Sequence, residues 1–188
     1  MGNNPSRFSG ANGLPENLLR PVDRVTWNNA TNYCAKRTQQ ELAAGLIPEG
    51  SRYRLPTEAE WEHACRALTS TRFDYGEDPG YAQLTDFAWF FDNADGMTHP
   101  VGEKLPNRWG LYDVYGNVIG WCQDWYGAYP GGSVTDPQGP ASGAFRILRG
   151  GSWFDDGAIS RISFRGYDSP THTDPAYGMR VVLGPSRP

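Results

Sequence analysis

A chain of 188 residues with a formal net charge of −4 offers no basic field for a phosphate backbone, which argues against nucleic acid as a partner. Its length suits one well-buried core and is short for two ordinary domains, so residues 1–188 read as a single domain. Glycine (23) and proline (15) together exceed the roughly 12% average, but seven tryptophans supply a core, and the composition indicates a folded, loop-rich domain.

Met1-Gly-Asn-Asn-Pro-Ser6 lacks the basic-then-apolar pattern of a signal sequence. No stretch approaches the roughly 20 apolar residues of a membrane helix, so no membrane insertion is expected and the compartment stays open. Over 26–44 the apolar positions Trp27, Ala30, Cys34 and Leu42 fall near one helical face, with Thr26 or Asn28 as the cap and Gly45 as the stop. A second helix is signalled after Pro56, where Thr57 and Glu60 form a capping box and Trp61, Ala64, Cys65 and Leu68 face the core. Cys34, Cys65 and Cys122 are odd in number and widely spaced, which suits buried free thiols better than a disulfide framework. Beyond about residue 70, Gly, Pro, Asn and Asp interrupt every apolar run. The surviving runs at 145–148 and 179–183 are long enough only for strands, so the C-terminal half reads as short strands in long loops.

Four ordered segments carry a resemblance: Tyr53-Arg-Leu-Pro-Thr-Glu-Ala-Glu-Trp-Glu62, Gly110-Leu-Tyr-Asp-Val-Tyr-Gly-Asn-Val-Ile-Gly-Trp-Cys-Gln-Asp-Trp125, the run 146–161 containing Arg149-Gly-Gly-Ser-Trp153, and Gly178-Met-Arg-Val-Val-Leu183. On these the chain resembles the formylglycine-generating-enzyme/sulfatase-modifying-factor family. The resemblance implies an α+β, C-type-lectin-like fold with two helices, small antiparallel sheets and long loops. It also implies an N-terminally short domain, since family members begin upstream of the segment matching Met1. A partner chain or another segment is then expected to cover that side.

In catalytic members of the family, two cysteines that follow the Arg-Gly-Gly-Ser motif bind copper(I). The matching positions here are Asp155 and Ser160. Copper(I) is soft and prefers thiolates to hard oxygen ligands, so no copper and no catalytic residue are expected. Cys122 belongs to a different motif. Asp155 and Asp156 would serve as an acid/base pair only in a dry pocket, and the plainer reading is two solvated loop acids. His63, His99 and His172 lie in three separate segments, against a two-histidine iron site. The resemblance suggests calcium at Asp113, Gly116 and Val118, although Gly120 stands where the family has a glutamate ligand. A second family calcium site involves the Phe87-Ala88-Trp89 region with Asp95. The structural alternative is that Asp113 and Asn117 cap their own loop. Trp89, Trp109, Trp121, Trp125 and Trp153 are either a sugar-stacking platform or, as is commoner, core. Arg149, Gly150, Gly151 and Ser152 read as structural.

Loss of the thiols points to a noncatalytic domain that binds a protein, glycan or small molecule through loops on a rigid scaffold. Variable proteins of diversity-generating retroelements share this fold and diversify the interval between Arg-Gly-Gly-Ser-Trp and the last Gly-(Phe/Met)-Arg. Here that interval holds Phe154, Asp155, Asp156, Ile159, Ser160, Tyr167, Asp168, His172 and Tyr177, the candidate ligand-binding residues. The enzymatic alternative is an oxygen-dependent oxidoreductase of formylglycine or sulfoxide-synthase type that uses other ligands. A third reading is an accessory domain of a larger assembly.

Overall fold

The computed structural model describes residues 4–8 and 18–185. Met1 to Asn3 of the segment read for a signal sequence lie outside them. The first helix, α1, spans Trp27–Ala43 and begins where its sequence says it should. Thr26 Oγ1 accepts the Asn29 N–H at 3.0 Å while Asn29 Oδ1 accepts the Thr26 N–H at 3.3 Å, closing a capping box. It buries Ala30 and Cys34, but Leu42 is 38% exposed and does not join the core. The last turn of α1 and the strand β1, Ser51–Arg54, leave an open cleft between them, and Leu42 lines it.

Helix α2, Glu58–Arg66, carries the expected Thr57–Glu60 capping box and buries Trp61 and Cys65. It stops at Ala67 in the left-handed region (φ 46), and Leu68 follows at φ 72. That backbone reversal throws Leu68 outward, 81% exposed, where helical continuation would have buried it. Two single-turn helices, α3 (Leu84–Phe87) and α4 (Gly157–Ser160), stand where the sequence reads only loops.

Strands β2 (Ile119–Trp125), β3 (Arg146–Arg149), β4 (Gly166–Asp168) and β5 (Tyr177–Gly178) form one sheet in the order β4-β3-β2-β5. β6, Val182–Pro185, pairs antiparallel with β1 in a second, two-stranded sheet. The fold is the expected α+β architecture, with one departure: β5 runs parallel to β2, through Ile119↔Tyr177 and Gly120↔Gly178. A parallel pair needs a long return connection, and the passage through β3, β4 and their loops supplies it.

Strand β2 divides the core. Ile119 and Trp121 face one cluster with Val25, Ala30, Leu55 and Leu148, and the Trp121 indole N–H donates to Val25 O at 2.9 Å. Cys122 faces the other, with Trp61, Cys65, Phe73, Phe90, Tyr115 and Ile147. A strand buried on both faces shows no polar alternation, so it is hard to see in sequence. All three cysteines are free and buried. No helix among the described residues is long and apolar enough to cross a membrane.

Candidate functional site

The Arg149-Gly-Gly-Ser152 corner organises the candidate site. Gly150 (φ 105) and Gly151 (φ 66) take left-handed backbone, and a Cβ on Gly151 would lie 2.7 Å from Ser160 Oγ. The chain therefore folds tightly onto α4. Asp156 caps that helix, accepting from the N–H groups of Ala158 (2.9 Å) and Ile159 (3.2 Å). Ser160 ends fully buried beneath the corner. Asp155 is half-buried and accepts the Ser152 hydroxyl at 2.6 Å, so it is not the solvated acid expected of a loop. Burial pushes its carboxyl above the ordinary range against the Ser152 hydrogen bond, with Asp156 and Asp174 adding repulsion.

This donor set does not fit copper(I). One position offers an engaged carboxylate and the other a packed neutral hydroxyl, both hard ligands. The thiols elsewhere are held protonated: burial raises Cys34 to about 11 and pushes Cys65 and Cys122 well above the ordinary thiol value. The histidines stay apart, His63 against Trp109, His99 stacked on Trp89 and His172 beside Asp168. Among the described residues no group of three or more His, Cys, Asp or Glu is placed to hold a metal.

At the calcium candidate, Asp113 Oδ2 accepts the Gly102 N–H at 2.8 Å and Oδ1 faces the Asn117 amide at 3.4 Å. Asn117 spends its side chain on His99, accepting from its N–H and donating to its carbonyl, each at 3.0 Å. Gly116 is pressed against Trp89, where a Cβ would sit 2.3 Å from the carbonyl oxygen. Val118 and Gly120 add no side-chain oxygen, so besides the Asp113 carboxylate a calcium ion here would draw on the backbone carbonyls of Gly116 and Val118. Asp95 is exposed, and Trp89 O is taken by the Asn117 N–H at 2.7 Å.

Of the remaining candidates, Tyr167, Asp168 and Tyr177 stand on the sheet. The Tyr177 hydroxyl donates to Asp168 Oδ2 at 2.7 Å, and His172 Nε2 lies 3.9 Å from the same oxygen. Tyr177 packs edge-on to the buried Trp121. On β4, Tyr167 packs at a tilt against Tyr126 (ring centroids 4.0 Å) and approaches Phe145 (5.4 Å), all three exposed. Phe154 is 63% exposed beside Trp153, and Ile159 is half-buried. Trp121 and Trp153 are core, while Trp109 is exposed.

Sequence reasoning missed Tyr126, Tyr129, Phe145 and Arg165. Arg165 forks onto Glu58 (2.6 and 2.8 Å), lies against Tyr129 (4.0 Å) and Tyr126 (5.1 Å), and so ties the aromatic face to the start of α2. The aromatic residues that flank the Gly- and Pro-rich stretch at 127–143 were the available signal. Beneath that stretch lies a cleft of about 800 Å³ lined by Glu58, Asp124, Tyr129 and Arg165, among others. Burial and the neighbouring Glu58 push Asp124 up to about 6, although its carboxylate accepts the Glu58 N–H at 2.7 Å. Below the cleft, Arg149 is fully buried on β3, bonded to Phe164 O and Glu62 and close to Glu58.

The family model for the sulfatase-modifying factor enzyme 1-like domain matches residues 1–184. The chain belongs to this family. It is 36% identical over 176 residues to a serine/threonine-protein kinase, pkn1, of Chlamydia caviae, covering 90% of this chain and 25% of that protein. With the formylglycine-generating enzyme of Streptomyces coelicolor it shares 34% identity over 177 residues, 86% of this chain and 52% of the enzyme. The chain thus spans about a quarter of one relative and about half of the other. Among solved structures, Treponema denticola variable protein 1 superposes with a TM-score of 0.85 at 33% identity, over 99% of this chain and 79% of that one.

Proposed function

We propose that this sulfatase-modifying factor domain is a noncatalytic binding module that engages its target through the aromatic face of Tyr126, Phe145 and Tyr167. The observation that carries this reading is the aromatic face itself: mutually packed rings kept in solvent on the edge of a rigid sheet. Such rings supply large, rigid contact area at low entropic cost and dominate interface energetics. The occupied donors at Asp155 and Ser160 support the absence of the copper chemistry found in the family's catalytic members.

A narrower version is favoured by the likeness to Treponema denticola variable protein 1. In it, Phe154, Tyr167, His172 and the other residues of that interval vary between sister copies while the corner at Arg149–Ser152 stays fixed. Two experiments test the reading. Anaerobic copper(I) loading followed by oxygen-uptake measurement with a thiol peptide is expected to show neither stoichiometric copper nor oxygen consumption; either would restore the oxidoreductase alternative. Partner capture with the wild type and with Tyr167→Ala is expected to recover a target only with the former, and equal recovery would remove the aromatic face from the argument.

A further inference from the structure

Gly120 sits inside β2 without a conformational reason to be glycine. Its φ is not left-handed, and a Cβ there would meet only Arg149 O, at 3.7 Å. Glycine inside a strand weakens it and often marks the close approach of a ligand or another backbone. Strand alternation turns position 120 away from the cluster that holds Ile119 and Trp121. It opens instead onto a separate cavity of about 410 Å³, within the roughly 300–1,000 Å³ usual for ligand pockets. None of the nine candidate residues between 154 and 177 lines that cavity.

One wall is apolar, formed by Val22, Leu111, Val114 and Met179. The cavity's charged lining residues are Asp113, Arg149, which is already bonded to Phe164 O and Glu62, and Arg180. One Arg180 guanidinium nitrogen donates to Tyr112 O at 2.5 Å, and no carboxylate forms an ion pair with Arg180 among the described residues. Arg180 is accessible to solvent, yet crowding lowers its pKa by desolvation, with Asp113 acting the other way. A cation lining a narrow cleft behaves in this manner. Asp113 also lines the cavity, but its two oxygens face Gly102 N–H and the Asn117 amide.

We infer that the cavity between Gly120 and Arg180 is a binding site for a small monocarboxylate with a short apolar tail. The carboxylate meets the free edge of the Arg180 guanidinium, and the tail lies on the Val22–Met179 wall in the space left by the missing side chain at 120. A guanidinium fork matches a planar carboxylate. The acid is either a free small molecule or an acidic side chain of a peptide.

The test is a titration of the full chain, in chelator to exclude calcium, followed by amide NMR. Phenylacetate is the probe for a free acid and an acetyl-glutamyl amide the probe for a side chain. Saturable shifts at Gly120 and Gly150 are expected for at least one probe, and the better binder identifies the source. Neutral phenylacetamide should bind about tenfold more weakly or worse. Arg180→Gln, at an accessible position, should lose the shifts while keeping the wild-type spectrum elsewhere. Gly120→Glu should lose them and raise Tm, because its own carboxylate fills the space. Equal binding of acid and amide, shifts that survive Arg180→Gln, or no shifts with either acid would overturn the proposal.

Discussion

Two regions use the same kinds of side chain to opposite ends. Under α2, Arg149, Glu58, Glu62 and Arg165 form an ionic lattice in which Arg149 is fully buried and every acid has a cationic partner. On the sheet, Asp168, Tyr177 and His172 make a looser set, with His172 exposed and 3.9 Å from its acid. Beside them Tyr126, Phe145 and Tyr167 pack on one another at the surface, with Arg165 against Tyr126. A buried charge must be matched by the chain's own groups, which fixes the scaffold around it. An exposed ring answers to no such requirement and is free to be replaced. The difference separates the part that holds the fold from the part open to selection for a target.

The contrast breaks most sharply at Arg149. Arg149→Met leaves Glu58 to Arg165 and Glu62 to Arg66 but strips Phe164 O of its donor and removes the buried cation between the two acids, and should cost about 3 kcal/mol in a denaturant titration; a loss below 1 kcal/mol would show that the lattice does not hold the corner. Asp124 tests the same region by pH. Its pKa is raised from 3.8 to about 6, so the folded state holds the proton more tightly than the unfolded chain. The stability that protonation contributes is complete below about pH 4 and is lost as pH rises through about 6. Asp124→Asn should therefore gain on the wild type between those values, by on the order of 2–3 kcal/mol. Equal Tm differences at pH 4 and pH 8 would count against it. Thr57→Ala removes one capping bond of α2 and should cost about 1 kcal/mol by thermal denaturation. At the far end, Tyr167→Ala should change stability by no more than about 0.5 kcal/mol; a larger loss would move the aromatic face into the scaffold.

The two long helices were legible because their start signals are local: Thr26 and Thr57 cap the backbone within three residues. What ends them was less so. Nothing near Ala67 and Leu68 in sequence announces two successive left-handed residues, and the apolar period ran on through Leu68 into solvent. Strand β2 hid behind its own burial on both faces and behind Gly120. β5, only two residues long, exists through its pairing with β2 and has no local pattern. At the site, residue type identified the altered positions 155 and 160, yet it could not place Ser160 beneath Gly151 or give Asp155 a partner in Ser152. Arg165 and Tyr126 escaped notice because their roles depend on contact with Glu58 and Tyr167, far apart in the chain.

The pairing of β1 with β6 sets an order on the making of the molecule. Ser51–Arg54 is translated more than a hundred residues before its partner Val182–Pro185. Until then β1 is an unpaired edge next to α1, exposed to other nascent chains throughout synthesis of the long loops. Arg52 and Arg54 within that strand put positive charge on it during the wait, the kind of gatekeeping that discourages strand-to-strand aggregation.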